Sequence, residues 1–301
     1  PYSVRMLESE LKRNPQATFL DGREGAPKWN YTTGLELLSF LDVADRYKVD
    51  GVYDYVKEWA DTMTDGKGGI LTYKKSNYNV DHICPARIYF RLDDKYGRKT
   101  KSYRNVIETI REQLDSHPRT SEGALWHKQV YPHQIWLDGL YMAMPFYTEY
   151  TMRNAKGAKR NELLKDIAND FIVAEKPTYD SETHLYRHAW DESRSMFWCD
   201  SLSGQSAHAW GRANGWYAVA LVEVIDMMPA GNLAREELVG LYNKLMRELP
   251  KWADERTGMW YQVLDCPGRA GNYLESTASA MFTYAYLKGN RLGILDSSLK
   301  D

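Results

Sequence analysis

Residues 34–47, GLELLSFLDVADRY, and residues 51–63, GVYDYVKEWADTM, decide the fold class of this chain. In both segments apolar side chains recur at intervals of three or four residues, which places them on one face of an α-helix. They are Leu35, Leu38 and Leu41 in the first segment, and Val52, Val56 and Trp59 in the second. A three-residue break separates the segments, so we predict two consecutive helices that form a pair.

The helical spacing continues along the rest of the chain, whereas strand signals are limited to residues 69–73 and 184–188. Strands do not alternate with helices, which argues against Rossmann and TIM architectures. No low-complexity linker interrupts the 301 residues. We therefore predict one all-α domain over residues 1–301, in which stacked helix pairs close into a toroid with functional loops at one end. The other predicted helices cover residues 3–13, 82–96, 103–114, 132–152, 158–174, 214–228, 235–252 and 273–287, with an eleventh that starts near Arg291.

The amino-acid composition limits the possible partners, location and ligands of the chain. The formal net charge is -2 and the pI is near 6.5, so nucleic acid is a poor candidate for a partner. No apolar run is long enough to cross a bilayer, and no signal peptide is visible, which favours a cytoplasmic location over a periplasmic one. The chain has 10 Trp and 22 Tyr but only 7 Phe. Aromatic rings with a polar group suit sugar binding, although filling a large core is the commoner use of such residues.

The three cysteines are far apart in the sequence, which makes a disulfide framework or a thiolate zinc site improbable. The segment 66–69 lacks the ending of a phosphate-binding loop, and no dinucleotide fingerprint is present. We therefore expect no cofactor and no metal. The oligomeric state has no signature in the sequence.

Asp138 stands out in the segment 117–147, HPRTSEGALWHKQVYPHQIWLDGLYMAMPFY. If a helix starts at Pro132, Asp138 shares a face with Tyr141 and Met142 and points inward. Burial raises the pKa of a carboxyl group, while a nearby helix N-terminus lowers it. A raised pKa makes an aspartic acid a usable general acid near neutral pH. The alternative is a buried structural Asp.

Two further positions have both a functional and a structural interpretation, and a third has a structural one. Arg212 lies in WGRANGW, residues 210–216, where an arginine among tryptophans can bind a carboxylate or can pair with a structural acid. His188 can donate a hydrogen bond to a sugar hydroxyl or can be a satisfied structural histidine. Asp81, in NVDH, stands where a helix N-cap is expected.

Several of these segments, taken in order, resemble glycoside hydrolase family 105, the unsaturated rhamnogalacturonyl hydrolases. The resemblance extends over nearly the whole chain. The matching segments are HPRTS at 117–121, WHK at 126–128, WLDGLYM at 136–142, HAWDES at 188–193, WGRANGW at 210–216 and ESTASAMF at 275–282.

The resemblance implies an (α/α)6 barrel of twelve helices, so we expect this domain to be incomplete at its C-terminus. It also implies that Asp138 is the catalytic acid and base and that Asp81 is the second acid of the pocket. The remaining positions that it implies as the lining of the sugar site are Tyr31, His127, Lys128, Trp136, His188, Trp210, Arg212 and Trp216.

The implied reaction removes a terminal uronic acid that carries a C4–C5 double bond, as polysaccharide lyases leave it, from an oligosaccharide. Asp138 protonates C4, water adds at C5, and the resulting hemiketal opens and releases the neighbouring sugar. One carboxyl group serves both steps, so the two-carboxylate spacing of ordinary glycosidases does not apply. An unsaturated galacturonyl-rhamnose linkage, as in pectin degradation, is the expected substrate.

Other functions stay open at this stage. The nearest is an unsaturated glucuronyl hydrolase that acts on glycosaminoglycan or ulvan fragments, since it shares the fold and mechanism. A sugar epimerase can use the same barrel, but it needs a facing pair of histidines. A sugar-binding protein without catalysis is the remaining alternative.

Overall fold

A computed structural model describes residues 1–299 and contains ten α-helices within them. The chain divides into two compact units, one of residues 1–117 and the other from Pro118 onward. The expectation of an all-α protein is confirmed, since the two strands in the described residues have only three residues each. No helix in residues 1–299 is long and apolar enough to cross a membrane.

The first unit contains five α-helices, and α2 shows how its core forms. Asn30 caps this helix, because its side chain accepts a hydrogen bond from the Thr33 amide at 3.0 Å. The buried face of α2 includes Leu37, Phe40, Leu41 and Ala44, so of the predicted stripe only Leu41 is buried, while Leu35 and Leu38 are half-buried. Both stripes are apolar, so packing against neighbouring elements selects one of them. The helices of this unit are α1 (Tyr2–Arg13), α2 (Tyr31–Tyr47), α3 (Val52–Met63), α4 (Arg87–Tyr96) and α5 (Ser102–Ser116).

Helix α4 begins at Arg87, five residues later than predicted. Two short 3-10 turns, Val80–His82 and Cys84–Ala86, precede it. Pro85 lacks an amide hydrogen and disfavours the α conformation of the residue before it, so a regular helix does not extend through this segment.

The second unit contains the other five α-helices, and α8 is its central element. Thirteen of the 17 residues of α8 are buried, and the helix packs against both α6 and α10. Gly215 permits the close approach of α10, because a Cβ atom at this position would lie 2.7 Å from the Met281 sulfur. The helices of this unit are α6 (Leu137–Asn154), α7 (Gly157–Thr178), α8 (Gly211–Met227), α9 (Leu233–Glu248) and α10 (Ser276–Arg291).

A short antiparallel ribbon replaces the predicted start of the sixth helix. Strand β1 (Gln134–Trp136) pairs with β2 (Ala189–Asp191), with Ile135 opposite Trp190. The segments 69–73 and 184–188, where the strand signals lie, form only isolated antiparallel bridges, of Ile70 with Thr64 and of Tyr186 with Tyr179. The prediction of an eleventh helix near Arg291 is also wrong, since α10 itself extends to Arg291.

Candidate active site

The ribbon brings His188 next to Asp138. The amide of Leu137, the first residue of α6, donates a hydrogen bond to the carbonyl of His188 at 3.1 Å. Asp138 is therefore the second residue of α6, and not a turn and a half into a helix that starts at Pro132. Its Oδ2 atom lies 4.0 Å from Nε2 of His188. Negative charge is favoured at this end of a helix, where backbone amides point outward.

His188 is uncharged in this environment. Burial disfavours the imidazolium ion and lowers the pKa of His188 from its usual 6.5 to about 4. Among the residues that the structure describes, its Nε2 atom has no hydrogen-bond partner. A neutral imidazole with a free ring nitrogen can donate to or accept from a substrate hydroxyl.

The low pKa of His188 predicts a pH-dependent stability. Between about pH 6.5 and pH 4 the unfolded chain binds a proton at this position and the folded chain does not. The free energy of unfolding therefore decreases as the pH is lowered through this range. We expect His188 to account for a loss of about 1 to 2 kcal/mol in the free energy of unfolding from pH 7 to pH 5. Urea denaturation of the wild type and of His188→Gln at both pH values measures this contribution. His184→Gln, which removes an exposed histidine of the same unit, is the control. An equal pH slope in the wild type and in His188→Gln would contradict the assignment.

Aromatic rings surround His188. Its ring forms edge-to-face pairs with Trp136, at a centroid distance of 5.2 Å, and with Trp210, at 5.1 Å. Trp136 in turn stacks on His127, at 4.6 Å with an angle of 7°, and on Tyr131, at 5.2 Å with an angle of 8°. These contacts hold the imidazole in one orientation beside Asp138.

Tyr131 was not among the predicted site residues. It lies at the end of a tight turn, bridged to Lys128, and the Lys128 ammonium lies 5.7 Å from the centre of its ring. The aromatic residues of this segment have no regular spacing. The sequence therefore gives no sign that Tyr131 stacks on Trp136.

Arg212 combines both interpretations made from the sequence. It is the second residue of α8, and its guanidinium lies 4.6 Å from the ring centre of Trp210, the N-cap residue. Its Nη1 atom is 3.9 Å from Oε1 of Glu275, whose other oxygen caps α10 by accepting from the Ala278 amide at 2.5 Å. The arginine is 38% exposed and its ion pair is long, so the guanidinium retains donors for a carboxylate ligand.

Trp216 is one of two predicted sugar contacts that are buried, and the other is His127. Trp216 is only 7% exposed and packs against Tyr141 of α6 at a centroid distance of 4.7 Å. This contact packs α8 against α6, the two helices whose first turns carry Arg212 and Asp138. The role of Trp216 as a sugar contact stays a prediction.

The first unit carries the remaining two candidates, Tyr31 and Asp81. Tyr31 is the first residue of α2, and Asp81 lies in the 3-10 turn Val80–His82. The capping role considered for Asp81 belongs to Asn79, whose side chain accepts a hydrogen bond from the Asp81 amide at 3.0 Å. The predicted roles of Tyr31 and Asp81 in a sugar site stay predictions.

One cluster in the second unit has ligand atoms of the kinds that metals prefer. Nδ1 of His208 lies 3.0 Å from Oδ2 of Asp265 and 3.5 Å from the sulfur of Cys266. Two arginines also contact the cluster, since Arg269 lies 3.4 Å from Nε2 of His208 and Arg187 lies 3.3 Å from Asp265. Hydrogen bonds and ion pairs thus account for these contacts, and the expectation of no metal stays a prediction.

Comparison with known proteins identifies the family. A model of glycosyl hydrolase family 88 matches residues 2–301. A solved glycoside hydrolase of family 105 from C. acetobutylicum ATCC 824 is 39% identical, with a TM-score of 0.91 over 99% of this chain and 79% of that chain. The chain belongs to the glycoside hydrolases of families 88 and 105. The resemblance found in the sequence is thereby confirmed, as is the (α/α)6 fold class of these families.

Two curated relatives of this family 105 chain add detail. The unsaturated rhamnogalacturonyl hydrolase YesR of Bacillus subtilis (strain 168) is 27% identical over 272 residues, which are 88% of this chain and 72% of YesR. The protein Atu3128 of Agrobacterium fabrum is 40% identical over 156 residues, which are 51% of this chain. The matched part is 63% of the length of that relative.

Proposed function

We propose that this chain hydrolyses oligosaccharides that end in a 4,5-unsaturated uronic acid, with Asp138 as the acid and base. The observation that carries the proposal is the pair of Asp138 and neutral His188, 4.0 Å apart, in a frame of aromatic rings. Membership of families 88 and 105 and the likeness to YesR support the same substrate class.

Asp138 can supply both proton transfers of this reaction. Its carboxylic acid donates a proton to C4, and positive charge develops at C5 and the ring oxygen. Water then adds at C5 and gives its proton to the Asp138 carboxylate, which restores the acid. The product is a hemiketal at C5 that opens to a ketone. C1 then loses the neighbouring sugar as an alcohol and becomes an aldehyde, so one water is consumed for each linkage broken.

The other side chains have roles that follow from their chemistry. Neutral His188 offers a hydrogen bond to a sugar hydroxyl without adding a second positive charge near the developing cation. Arg212 offers a planar pair of donors to the uronate carboxylate. The aromatic rings beside these residues supply apolar surface against which a sugar ring can pack.

The test follows the atom that is protonated. In heavy water, an early-quenched reaction on an unsaturated galacturonyl-rhamnose disaccharide is expected to place deuterium on C4 of the product, because the proton on Asp138 comes from solvent. The ultraviolet absorbance of the double bond should disappear at the same rate as rhamnose is released. The saturated disaccharide should not be cleaved, since it has no double bond to protonate.

Product incubated alone in heavy water is the control, because exchange next to the new ketone also labels C4. Equal cleavage of saturated and unsaturated substrates, or no label above this control, would place the attack at the anomeric carbon instead. Parallel assays of unsaturated glucuronyl disaccharides from glycosaminoglycans and ulvan identify the preferred leaving sugar.

A further inference from the structure

The loop of residues 119–125 is held together by its own backbone. Arg119 and Leu125, at its two ends, form an antiparallel bridge. Between them, the Thr120 amide donates to the carbonyl of Ala124 at 2.8 Å, and the Ala124 amide donates to the Thr120 side chain at 3.2 Å. Thr120 and Ala124 are both buried. The loop is therefore compact, and its position depends on the contacts that it makes with other elements.

Helix α7 fixes both ends of this loop through a buried carboxylate. Asp170 is 2% exposed, and its Oδ1 atom accepts from the Leu125 amide at 2.7 Å. Its Oδ2 atom lies 3.5 Å from Nη1 of Arg119. The same guanidinium donates to the Gly123 carbonyl at 2.5 Å and to Asp166, also on α7, at 2.9 Å. A buried charge needs such partners, so the charge of Asp170 and the position of the loop depend on each other.

The loop continues directly into the aromatic stack beside His188. His127 lies two residues after Leu125, and its amide donates to the Gln134 carbonyl at 2.8 Å. Its ring stacks on Trp136, which forms the edge-to-face pair with His188. Gln134 and Trp136 both belong to β1. A shift of this loop end therefore moves β1 and the ring that orients the imidazole.

A second contact links the loop to the other strand of the ribbon. The Ser121 amide donates to the Glu192 carboxylate at 3.0 Å, and Glu192 directly follows β2. The Glu192 amide in turn donates to the carbonyl of His133, the residue before β1, at 3.0 Å. The loop thus contacts one end of the ribbon, while His188 and Asp138 lie at its other end, three residue pairs away. A ribbon this short transmits a displacement from one end to the other.

We infer that Asp170 is a positioning residue of the active site. Its contacts with Leu125 and Arg119 fix the ribbon, and the ribbon fixes the distance and orientation of His188 relative to Asp138. The inference rests on the proposed function, because it concerns the geometry that this reaction requires. A misplacement of about 1 Å that originates far from the reacting atoms can lower a rate by about 100-fold. Asp170 acts through the loop and the ribbon, and not by contact with the sugar.

The charge of Asp170 gives this role a signature in the pH dependence of activity. Burial raises the pKa of Asp170 to about 7, although the Arg119 charge and the hydrogen bond from Leu125 oppose this. The charge of Asp166 also raises it, and Tyr147 of α6 donates to Asp166 at 3.0 Å. As the pH falls through this value, Asp170 takes up a proton and loses its attraction to Arg119, so the contacts that fix the loop weaken. Asp170→Asn is neutral at every pH.

The experiment compares Asp170→Asn with Asp166→Asn. Asparagine is nearly isosteric with aspartate and keeps an oxygen for the Leu125 amide, but it removes the charge opposite Arg119. Asp166 is the matched control, because it contacts the same guanidinium from the same helix, while among residues 1–299 its side chain accepts only from side chains. On the unsaturated galacturonyl-rhamnose disaccharide at pH 8, Asp170→Asn should lower kcat/KM about 10- to 100-fold. Asp166→Asn should lower it less than about 5-fold, since its ion pair is partly exposed.

The pH dependence separates positioning from a general loss of structure. The ratio of kcat/KM of the wild type to that of Asp170→Asn should fall about 5- to 10-fold from pH 8 to pH 6, because Asp170 of the wild type becomes neutral in this range. Titration of Asp138 affects both proteins equally and cancels in the ratio. A merely structural loss would give the same ratio at both pH values.

Circular dichroism and thermal melting show whether each variant folds. If Asp170→Asn does not fold, Arg119→Lys takes its place, because lysine keeps the charge but cannot reproduce the two separate bonds of the guanidinium. This variant should lower kcat/KM at pH 8 about 10-fold.

Three results would each show that Asp170 is only structural, while the proposed function stands. They are a ratio that does not change with pH, an equal loss in Asp166→Asn, and unchanged activity of Arg119→Lys. If the wild type cleaves no unsaturated disaccharide, the proposed function fails and the inference fails with it.

Discussion

Replacing Asp138 with asparagine is expected to lower kcat on an unsaturated uronyl disaccharide by about 100- to 10,000-fold, the usual contribution of a general acid and base. Asparagine has nearly the same shape but no carboxylic proton to donate and no carboxylate to accept one. KM should change little, because the residues that bind the sugar remain. Steady-state kinetics, followed by the loss of double-bond absorbance, measure both constants.

The control for this substitution is Glu236→Gln. Like Asp138, Glu236 is an acidic residue in the first turn of its helix, and it is 53% exposed. Glu236→Gln removes a favourable charge–dipole interaction of about 0.3 to 1 kcal/mol, so this variant should lose only a small amount of thermal stability and should keep its activity. Only Asp138→Asn should lose activity. A kcat of Asp138→Asn within a few-fold of the wild type would exclude Asp138 from the chemical step.

Replacing Arg212 with lysine is expected to raise KM for the same substrate by about 10- to 100-fold, because charge-assisted hydrogen bonds contribute about 1.5 to 3 kcal/mol each. Lysine keeps the positive charge but loses the planar pair of donors and the stacking on Trp210. Its ammonium also cannot reproduce the contact of the guanidinium with Glu275 while binding a ligand. The kcat value should fall less than KM rises.

A neutral substrate separates recognition of the carboxylate from a purely structural role. The methyl ester of the unsaturated uronide has no carboxylate, so the wild type and Arg212→Lys should process it at similar rates. Arg247→Lys is the matched control, since Arg247 forms an exposed ion pair with Asp296. If Arg212→Lys slows the acid and the ester by the same factor, the role of Arg212 is structural.

Local sequence was sufficient for the helices, because their apolar side chains repeat with the period of an α-helix. Helix α8 and the pair α2 and α3 were predicted within three residues at each end. The local sequence did not predict which face of α2 is buried, because both Leu35 and Leu37 are apolar. Only packing against the neighbouring elements distinguishes these two residues. Residues 134–136 were predicted as helix for a related reason. Their strand conformation depends on pairing with residues 189–191, more than fifty positions later.

In the candidate site, too, the sequence predicted some features and packing decided others. The sequence indicated Asp138, His188 and Arg212 for two reasons. Ionisable side chains are uncommon among apolar residues, and these three lie in segments that resemble a known family. Their distances, the low pKa of His188 and the second partner of Arg212 follow from packing between segments that are distant in the chain. Tyr131 was missed, because an aromatic residue in a loop carries no periodic signal.

The amino-acid sequence by itself determined the all-α class and the family, and it singled out Asp138 as the candidate for the reacting carboxyl group, because periodicity and short motifs are local properties. Only the tertiary structure decided that Trp136 stacks on His127 and Tyr131 and that Trp216 packs on Tyr141. Each of these features requires residues from separate segments to meet. Their contact depends on burial and hydrogen bonding across the second unit, which no single segment specifies.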